Sequence, residues 1–546
     1  MKIMFCGAAT GVTGSCHLIT TDSHKILFDC GQFQGGKAME EKNFEPFPFN
    51  PAEIECVVLS HAHVDHCGRI PLLVKQGFKG KIYCTDPTAQ LLDVMLKDSA
   101  HIHEQDAQWQ SKRNERSGKP PVEPLYTTND ALDAIRLIAP VRYDQLIELN
   151  DQMKIVFNEA GHILGSAVIE LWVEETGTTK KIVFSGDLGM SNRPILRDPK
   201  KIKKADCVIM ETTYGNRVHE KNATSISRLL DIAANTVQRG GSVIIPSFAV
   251  GRTQELLFEL NKVYDGDSPY TPILKNIPVY VDSPMAKAAT EVFINNAQVY
   301  DDEMKNYILS GDHPLNFNKL NFVESSDESR AINADKSPKI VISASGMCDA
   351  GRIRHHLKHN LYDPKSSIVF VGYQAEGTLG KMLLDGATEV KLFGESIAVK
   401  AEIHNLQGFS GHADRDALFD WLAGFIKEPE NIFLVHGEED AKLDFAEFVE
   451  KKLGWKPVPV TGYDEYDLST GESLVEETPE EEFAGAEQIS DVKDKLADLH
   501  QQMELIIYNT RGQLSDELTA EKAAEIKNTL AELEKSLMDL GAKVAQ

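Results

Sequence analysis

The run Leu59-Ser-His-Ala-His-Val-Asp-His-Cys-Gly68 sets His61, His63, Asp65 and His66 directly behind the apolar stretch 54–59. Three imidazoles and a carboxylate within six residues offer nitrogen and oxygen donors together, the donor set of borderline-soft divalent metals. A loop leaving a strand is not committed to one side-chain periodicity. His61 and His63 can therefore converge on one ion while Asp65 and His66 turn to another. Residues of the same kind follow other apolar runs: Asp29 after 25–28, His162 in Ala160-Gly-His-Ile-Leu-Gly165, Asp187 in Phe184-Ser-Gly-Asp-Leu-Gly189, and His436 in Ile432-Phe-Leu-Val-His-Gly-Glu438.

At 546 residues the chain has room for two or three domains and an ample core. No apolar run approaches the roughly 18–20 residues that span a membrane, so no membrane partner is expected. The N-terminal Met-Lys-Ile-Met-Phe-Cys-Gly lacks the pattern of a secretory signal. The eight cysteines, at 6, 16, 30, 56, 67, 84, 207 and 348, form no C-x-x-C pair. They read as reduced thiols of a cytoplasmic protein, which leaves metal to His and Asp. The net charge is −26, but positions 464–546 hold 21 acidic and 7 basic residues, so over half of it lies in the tail. The rest is acidic without forbidding a local basic cleft for a polyanion.

Residues 1–30 alternate as an antiparallel hairpin over 2–6, 16–20 and 25–29. The glycines of Gly7-Ala-Ala-Thr-Gly11-Val-Thr-Gly14 have the wrong spacing for a dinucleotide loop, and a strand follows them where a helix should. Residues 86–140 read as helical with an exposed loop near 112–121, and strands resume at 154–157, 167–173 and 181–184. From about 205 to 395 the pattern becomes repeated strand–turn–helix, which implies a parallel sheet with its loops gathered at one edge. Helix starts preceded by Ser and Gly, with Arg or Lys nearby, suit phosphate oxygens. Ser247, Arg252, Ser345, Gly346, Arg352 and Lys381 are accordingly the candidate substrate-binding residues. Residues 464–487 read as an acidic linker. Beyond it Ile489, Val492, Leu496, Leu499, Met503 and Ile506, and then Ile526, Leu530, Leu533, Leu537 and Leu540, recur at three- and four-residue spacing around Arg511-Gly512. Residues 488–546 are therefore expected to form a helical hairpin, whose seam would pack on its own partner helix or on the body, or serve a homodimer or protein partner, rather than take part in catalysis.

The ordered set Asp29, the 61–66 cluster, His162, Asp187 and His436 resembles the metallo-β-lactamase superfamily. Glu211 in M-E-T-T-Y-G, His412 in F-S-G-H-A-D and His436 in L-V-H-G-E resemble motifs A, B and C of its β-CASP subfamily. That subfamily contains the endonuclease of the eukaryotic cleavage-and-polyadenylation complex, its prokaryotic relatives and, more distantly, ribonuclease J. The likeness covers about residues 1–463 and not the tail, and the N-terminal KH modules of archaeal relatives are not expected here.

The resemblance implies an α/β protein with a four-layer αββα body formed by 1–207 and 396–463. A parallel-sheet β-CASP domain is inserted at 208–395. It implies two zinc ions, one on His61, His63 and His162, the other on Asp65, His66 and His436, with Asp187 bridging. Asp65, Glu211 and His412 are the expected catalytic residues. Two metals can activate water and stabilise charge on phosphorus, His412 can protonate the leaving 3′ oxygen, and Glu211 favours the protonated ring. Asp29 is expected to stand behind the metal loop and fix it.

The implied activity is zinc-dependent hydrolysis of single-stranded RNA to 5′-phosphate and 3′-hydroxyl ends. A His at motif C, here His436, resembles the RNA-processing branch and favours RNA over DNA; the activity is expected to be endonucleolytic, with 5′-to-3′ exonuclease activity as a further mode. A small-molecule thioester or lactam hydrolase would use the same metals but would need neither Glu211, His412 nor a domain over the site. A scaffold working through its tail would not need a full set of ligands.

Overall fold

Alternation along each strand sorts side chains onto two faces, and those faces decide the layers. The computed structural model describes residues 1–474 apart from Thr176, Glu376 and Ser469, together with Ile526, Lys527 and Thr529 of the tail. Along the chain the strands are β1 (Lys2–Phe5), β2 (His17–Thr20), β3 (Lys25–Phe28), β4 (Cys56–Val58), β5 (Lys81–Thr85), β6 (Ile138–Val141), β7 (Ile147–Glu148), β8 (Met153–Glu159), β9 (Ala167–Glu175), β10 (Thr178–Phe184) and β11 (Cys207–Glu211). Then come β12 (Val243–Pro246), β13 (Val279–Val281), β14 (Leu320–Phe322), β15 (Ile340–Ser343), β16 (Ser367–Phe370), β17 (Glu389–Leu392), β18 (Glu395–Ala398) and β19 (Glu402–Asn405). The chain closes on β20 (Asn431–Val435), β21 (Val458–Pro459) and β22 (Glu465–Asp467).

Two seven-stranded sheets, ordered β22-β1-β2-β3-β4-β5-β6 and β21-β20-β11-β10-β9-β8-β7, face each other. Ile3, Phe5, Ile19, Phe28 and Val58 of the first meet Ile155, Phe157, Ile169, Phe184, Ile209 and Val435 of the second. Phe28 and Phe184 stack with centroids 5.1 Å apart. Val57, Leu59 and Ile82 turn the other way, onto Leu91, Leu92 and Met95 of the helix Asp86–Arg116. Val183, Val208 and Met210 likewise meet Leu418 and Trp421 of the helix Arg415–Leu422 and Phe445 and Val449 of the helix Glu439–Leu453. This is the expected αββα body. Each fully buried Leu, Ile or Phe is worth about 1.5–3 kcal/mol, so the sheet-to-sheet layer gives the loops above it a rigid base.

The third sheet, β14-β13-β15-β12-β16-β19, has only parallel pairings. β12, β15 and β16 are buried at every position, as strands covered on both faces must be. β11 lies in the second sheet and β19 in the third, so sheet membership changes a few residues beyond the expected limits at 207 and 395. The chain leaves the body after β11 and re-enters it through residues 409–414 and the helix Arg415–Leu422 on the way to β20. The lobes also meet at Gln90 and Asn296, where Asn296 Nδ2 donates to Gln90 Oε1 at 2.9 Å.

The N-terminal hairpin pairs as expected, β1 with β2 and β2 with β3, both antiparallel. Two elements differ from the sequence reading. Within the stretch read as helical, Ile138–Val141 is a strand beside β5; it is a sheet edge, where Pro140 costs no ladder bond. The linker expected over 464–487 does not hold at its start, because Glu465–Asp467 pairs antiparallel with β1 and turns Tyr466 into the inter-sheet core; residues 475–487 lie outside the described residues. The helical hairpin of 488–546 lies outside the described residues, save that Ile526, Lys527 and Thr529 are helical. Contacts divide the chain into Met1–Leu474 and Val475–Gln546. Among the described residues no helix is long and apolar enough to cross a membrane.

Candidate active site

Every metal-type residue follows the C-terminal end of a strand. The loop after β4 carries His61 and His63 and runs into the one-turn helix Val64–Cys67, which carries Asp65 and His66; the loop after β8 carries His162, that after β10 carries Asp187, and β20 is followed by His436. Close backbone approach packs these loops together. A Cβ on Gly31 would lie 1.6 Å from the Asp65 carbonyl oxygen, and one on Gly189 would lie 1.8 Å from that of Gly161.

The side chains form two adjoining sets. His63 Nδ1 lies 3.1 Å from His61 Nε2 and 3.1 Å from His162 Nε2. Both Nε2 atoms stand 3.5 Å from Asp187 Oδ2. In the second set His66 Nε2 lies 3.1 Å from His436 Nε2 and 3.3 Å from Asp187 Oδ1. Asp65 Oδ2 is 3.6 Å from His436 Nε2. Asp187 thus turns one oxygen to each set.

The groups behind the cluster decide which nitrogens point into it. His61 Nδ1 donates to Ser60 Oγ at 3.0 Å, His66 Nδ1 to Asp29 Oδ2 at 2.7 Å, His162 Nδ1 to the Gly411 carbonyl at 3.2 Å, and His436 Nδ1 to Thr213 Oγ1 at 3.0 Å. Each bond leaves the opposite lone pair aimed at the cluster, the usual way a protein orients metal-binding imidazoles. Asp29 is held by Ser15 Oγ, Ser60 Oγ and Ser60 N, which fixes the metal loop as expected of it.

Both Asp187 oxygens are buried and accept no hydrogen bond among the described residues. An unpaired buried carboxylate is expensive, and a divalent cation between the two sets would satisfy it. Burial drives His61 and His162 well below the ordinary histidine value and His63 down to about 4, so their lone pairs are free at neutral pH. Burial is the largest influence on Asp65 and Asp187 and works to raise both, but the surrounding imidazoles together outweigh it: His66, His436 and His63 hold Asp65 at about 2, and His436, His66, His412 and His61 hold Asp187 well below the ordinary value. His66 is pushed down by burial and up, more strongly, by Asp187, Asp29 and Asp65; a cation would displace that proton. The donor set fits a divalent metal.

Beside the cluster His412 Nδ1 faces both oxygens of Glu211, at 3.4 and 3.3 Å, and lies 3.7 Å from Asp187 Oδ2. Burial lowers His412, but Glu211 first and Asp187 next outweigh it and hold the ring at about 9. Its Nε2 makes no hydrogen bond among the described residues and is available to a proton acceptor. Glu211 also accepts from Leu188 N at 2.5 Å and from Thr213 Oγ1 at 2.6 Å. Thr213, which sequence reasoning passed over, therefore joins Glu211 to His436. Its hydroxyl within M-E-T-T-Y-G was the available signal.

The substrate-binding candidates divide. Arg252 is buried against Glu255 and over the Phe409 ring, and its Nη2 would lie 3.7 Å from a Cβ on Gly411. It supports the 409–412 loop. Ser247 Oγ donates to the Phe248 carbonyl at 3.3 Å, and Ser345 Oγ is buried without a partner among the described residues. Gly346 lies under the Phe248 ring. Arg352 donates to Asp282 at 2.7 Å and to the Glu324 carbonyl at 2.5 Å, and Lys381 pairs with Asp385 at 2.7 Å. The structure brings neither of the last two to the cluster.

Three family models match the chain: the metallo-beta-lactamase superfamily over residues 9–235, the Beta-Casp domain over 253–383, and the Zn-dependent metallo-hydrolase RNA specificity domain over 396–459. Ribonuclease TTHA0252 of Thermus thermophilus is 37% identical over 445 residues, 81% of this chain and 94% of its own. The RNase J-like protein of Methanocaldococcus jannaschii is 32% identical, covering 84% of this chain and 98% of its own. Transcription termination factor FttA of the same organism is 32% identical, with 83% and 69% covered.

Proposed function

We propose, from the premise that the chain belongs to the β-CASP ribonuclease subfamily of the metallo-β-lactamase superfamily, that it hydrolyses single-stranded RNA with two zinc ions. It is a metal-dependent hydrolase. The observation that carries the reading is Asp187, buried, without a hydrogen-bond donor among the described residues, and turning one oxygen to each histidine set. His61, His63 and His162 are assigned to one ion, Asp65, His66 and His436 to the other, and Asp187 to both. When bound, the ions supply Lewis acidity to the phosphate and lower the pKa of nearby water toward neutrality.

The remaining work falls to side chains. Asp65, at the rim of the cluster, accepts the proton of the attacking water. His412 Nε2 gives its proton to the departing 3′ oxygen, while Glu211 holds the ring by Nδ1 and keeps it charged. The phosphorus–O3′ bond breaks as the water oxygen bonds to phosphorus, leaving 5′-phosphate and 3′-hydroxyl ends. We assign internal cleavage as the main mode, with 5′-to-3′ trimming as a second. Eight buried, unpaired cysteines support a cytoplasmic setting, and the tail is assigned to a homodimer or protein contact.

The test is incubation with labelled single-stranded RNA, single-stranded DNA and a thioester, with and without chelator. RNA is cut to 5′-phosphate ends, chelator stops the reaction and zinc restores it. Thioester hydrolysis without RNA cleavage would overturn the reading.

A further inference from the structure

Two aromatic rings stand open on the loops that leave neighbouring strands of the parallel sheet. Phe248 lies on the loop leaving β12 and Tyr373 on the loop leaving the paired strand β16. They are 44% and 46% exposed, while Ser247, Ala249 and Gln374 around them are buried. One face of Phe248 rests on glycine backbone. A Cβ on Gly346 would lie 3.2 Å from its ring, and one on Gly372 3.6 Å away. The far end of the same loop reaches the metal cluster, since a Cβ on Gly251 would lie 3.1 Å from Ile163, the neighbour of His162.

Tyr373 is tied to the proton donor through a short chain of contacts. The Arg217 guanidinium lies 5.8 Å from the Tyr373 ring centre and 4.3 Å from that of Tyr214. The Tyr214 ring is centred 6.0 Å from His412. A run of π-faces and one cation therefore leads outward from His412. Flat open rings beside a guanidinium match single-stranded nucleic acid, whose bases stack on aromatics while phosphates meet cations. A protein partner would need a larger continuous apolar patch.

We propose that Phe248 and Tyr373 form a base-stacking platform for RNA nucleotides on the 5′ side of the scissile bond. The proposal rests on the ribonuclease reading. Its direction follows from chemistry: the 3′ oxygen that His412 protonates belongs to the nucleotide 5′ of the cut, and the contact chain begins at His412. Gly346 is then bare so that the Phe248 ring can lie flat, and Arg217 sits where the backbone between stacked bases passes.

RNAs carrying one abasic residue, walked along the strand, test this with the full-length zinc-loaded protein. In the parent, an abasic residue at one or two positions 5′ of the cut should weaken binding about 10-fold. Phe248→Leu and Tyr373→Leu keep apolar bulk without a π-face, and should weaken binding of intact RNA by about 10-fold. The abasic substitution at the matching position should then cost them nothing more, because one stack is lost only once. Gly346→Ala, which lifts the ring, should behave like Phe248→Leu. Penalties that multiply at every position, or a coupled position 3′ of the cut, would overturn the platform while RNA cleavage stands. A protein that neither cuts nor binds RNA would overturn both readings.

Discussion

Glu211→Gln removes a charge and keeps the shape of a side chain that is 1% exposed. With Glu211 in place His412 titrates at about 9, so at pH 8 about nine in ten rings are protonated; at the ordinary 6.5 the figure is about one in thirty. A step that needs the protonated ring should therefore slow about 30-fold at one pH unit below the parent's alkaline pKa and less than 2-fold at three units below it. The sign is fixed by the direction of the shift: activity holds below the raised pKa and is lost as pH rises through it. The assay is the pH–rate profile of RNA cleavage by zinc-loaded parent and variant. Bound zinc pulls His412 down alike in both, so the separation of the two alkaline limbs is the readout. A p-nitrophenyl phosphodiester, whose leaving group needs no proton, should show no separation. Coincident limbs on RNA, or equal separation on both substrates, would refute the assignment of His412 as acid.

Asp187→Ala should lose zinc and RNA cleavage together, by metal analysis and rate, and full activity would contradict a carboxylate shared by two ions. Glu159, which accepts from Gly161 N at 2.9 Å, is raised by burial to about 7. Its neutral form suits the fold, so stability is full below the ordinary carboxyl value and declines as pH rises to about 7. Glu159→Gln should exceed the parent by of the order of 1–3 kcal/mol at pH 8 and match it near pH 4 in denaturant melts; equality at pH 8 would contradict this. A chain ending at Leu474 should cut short RNA within about 2-fold of the parent and differ in sedimentation. One ending at Val460 also loses β22 and the buried Tyr466 and should be less stable by about 1.5–3 kcal/mol.

The metal cluster was legible because its donors sit within one loop and after apolar runs, where few other uses exist for three histidines and an aspartate. The parallel lobe was legible from its strand–turn–helix rhythm. Less visible was what polar residues on that lobe's edge do. Arg352 matches the pattern of a phosphate ligand, yet Asp282, distant in sequence, claims it at 2.7 Å. β22 was hidden because Glu465 and Asp467 face outward and leave Tyr466 as its lone apolar signal. Thr213 was overlooked because its partners, Glu211 and His436, become neighbours only when β11 and β20 pair in parallel.

Glu211 and His412 occupy the two places where the chain passes between body and inserted lobe. Both are nonetheless tied to one point of the body, since Leu188 donates its N–H to Glu211 and accepts from Ala413 N through its carbonyl at 2.7 Å. The acid and the group that charges it therefore share one foundation with Asp187, the residue before Leu188. Motion of the inserted lobe would carry substrate toward or away from the pair without changing its 3.3 Å spacing, so the proton donor stays armed whether or not a strand is bound.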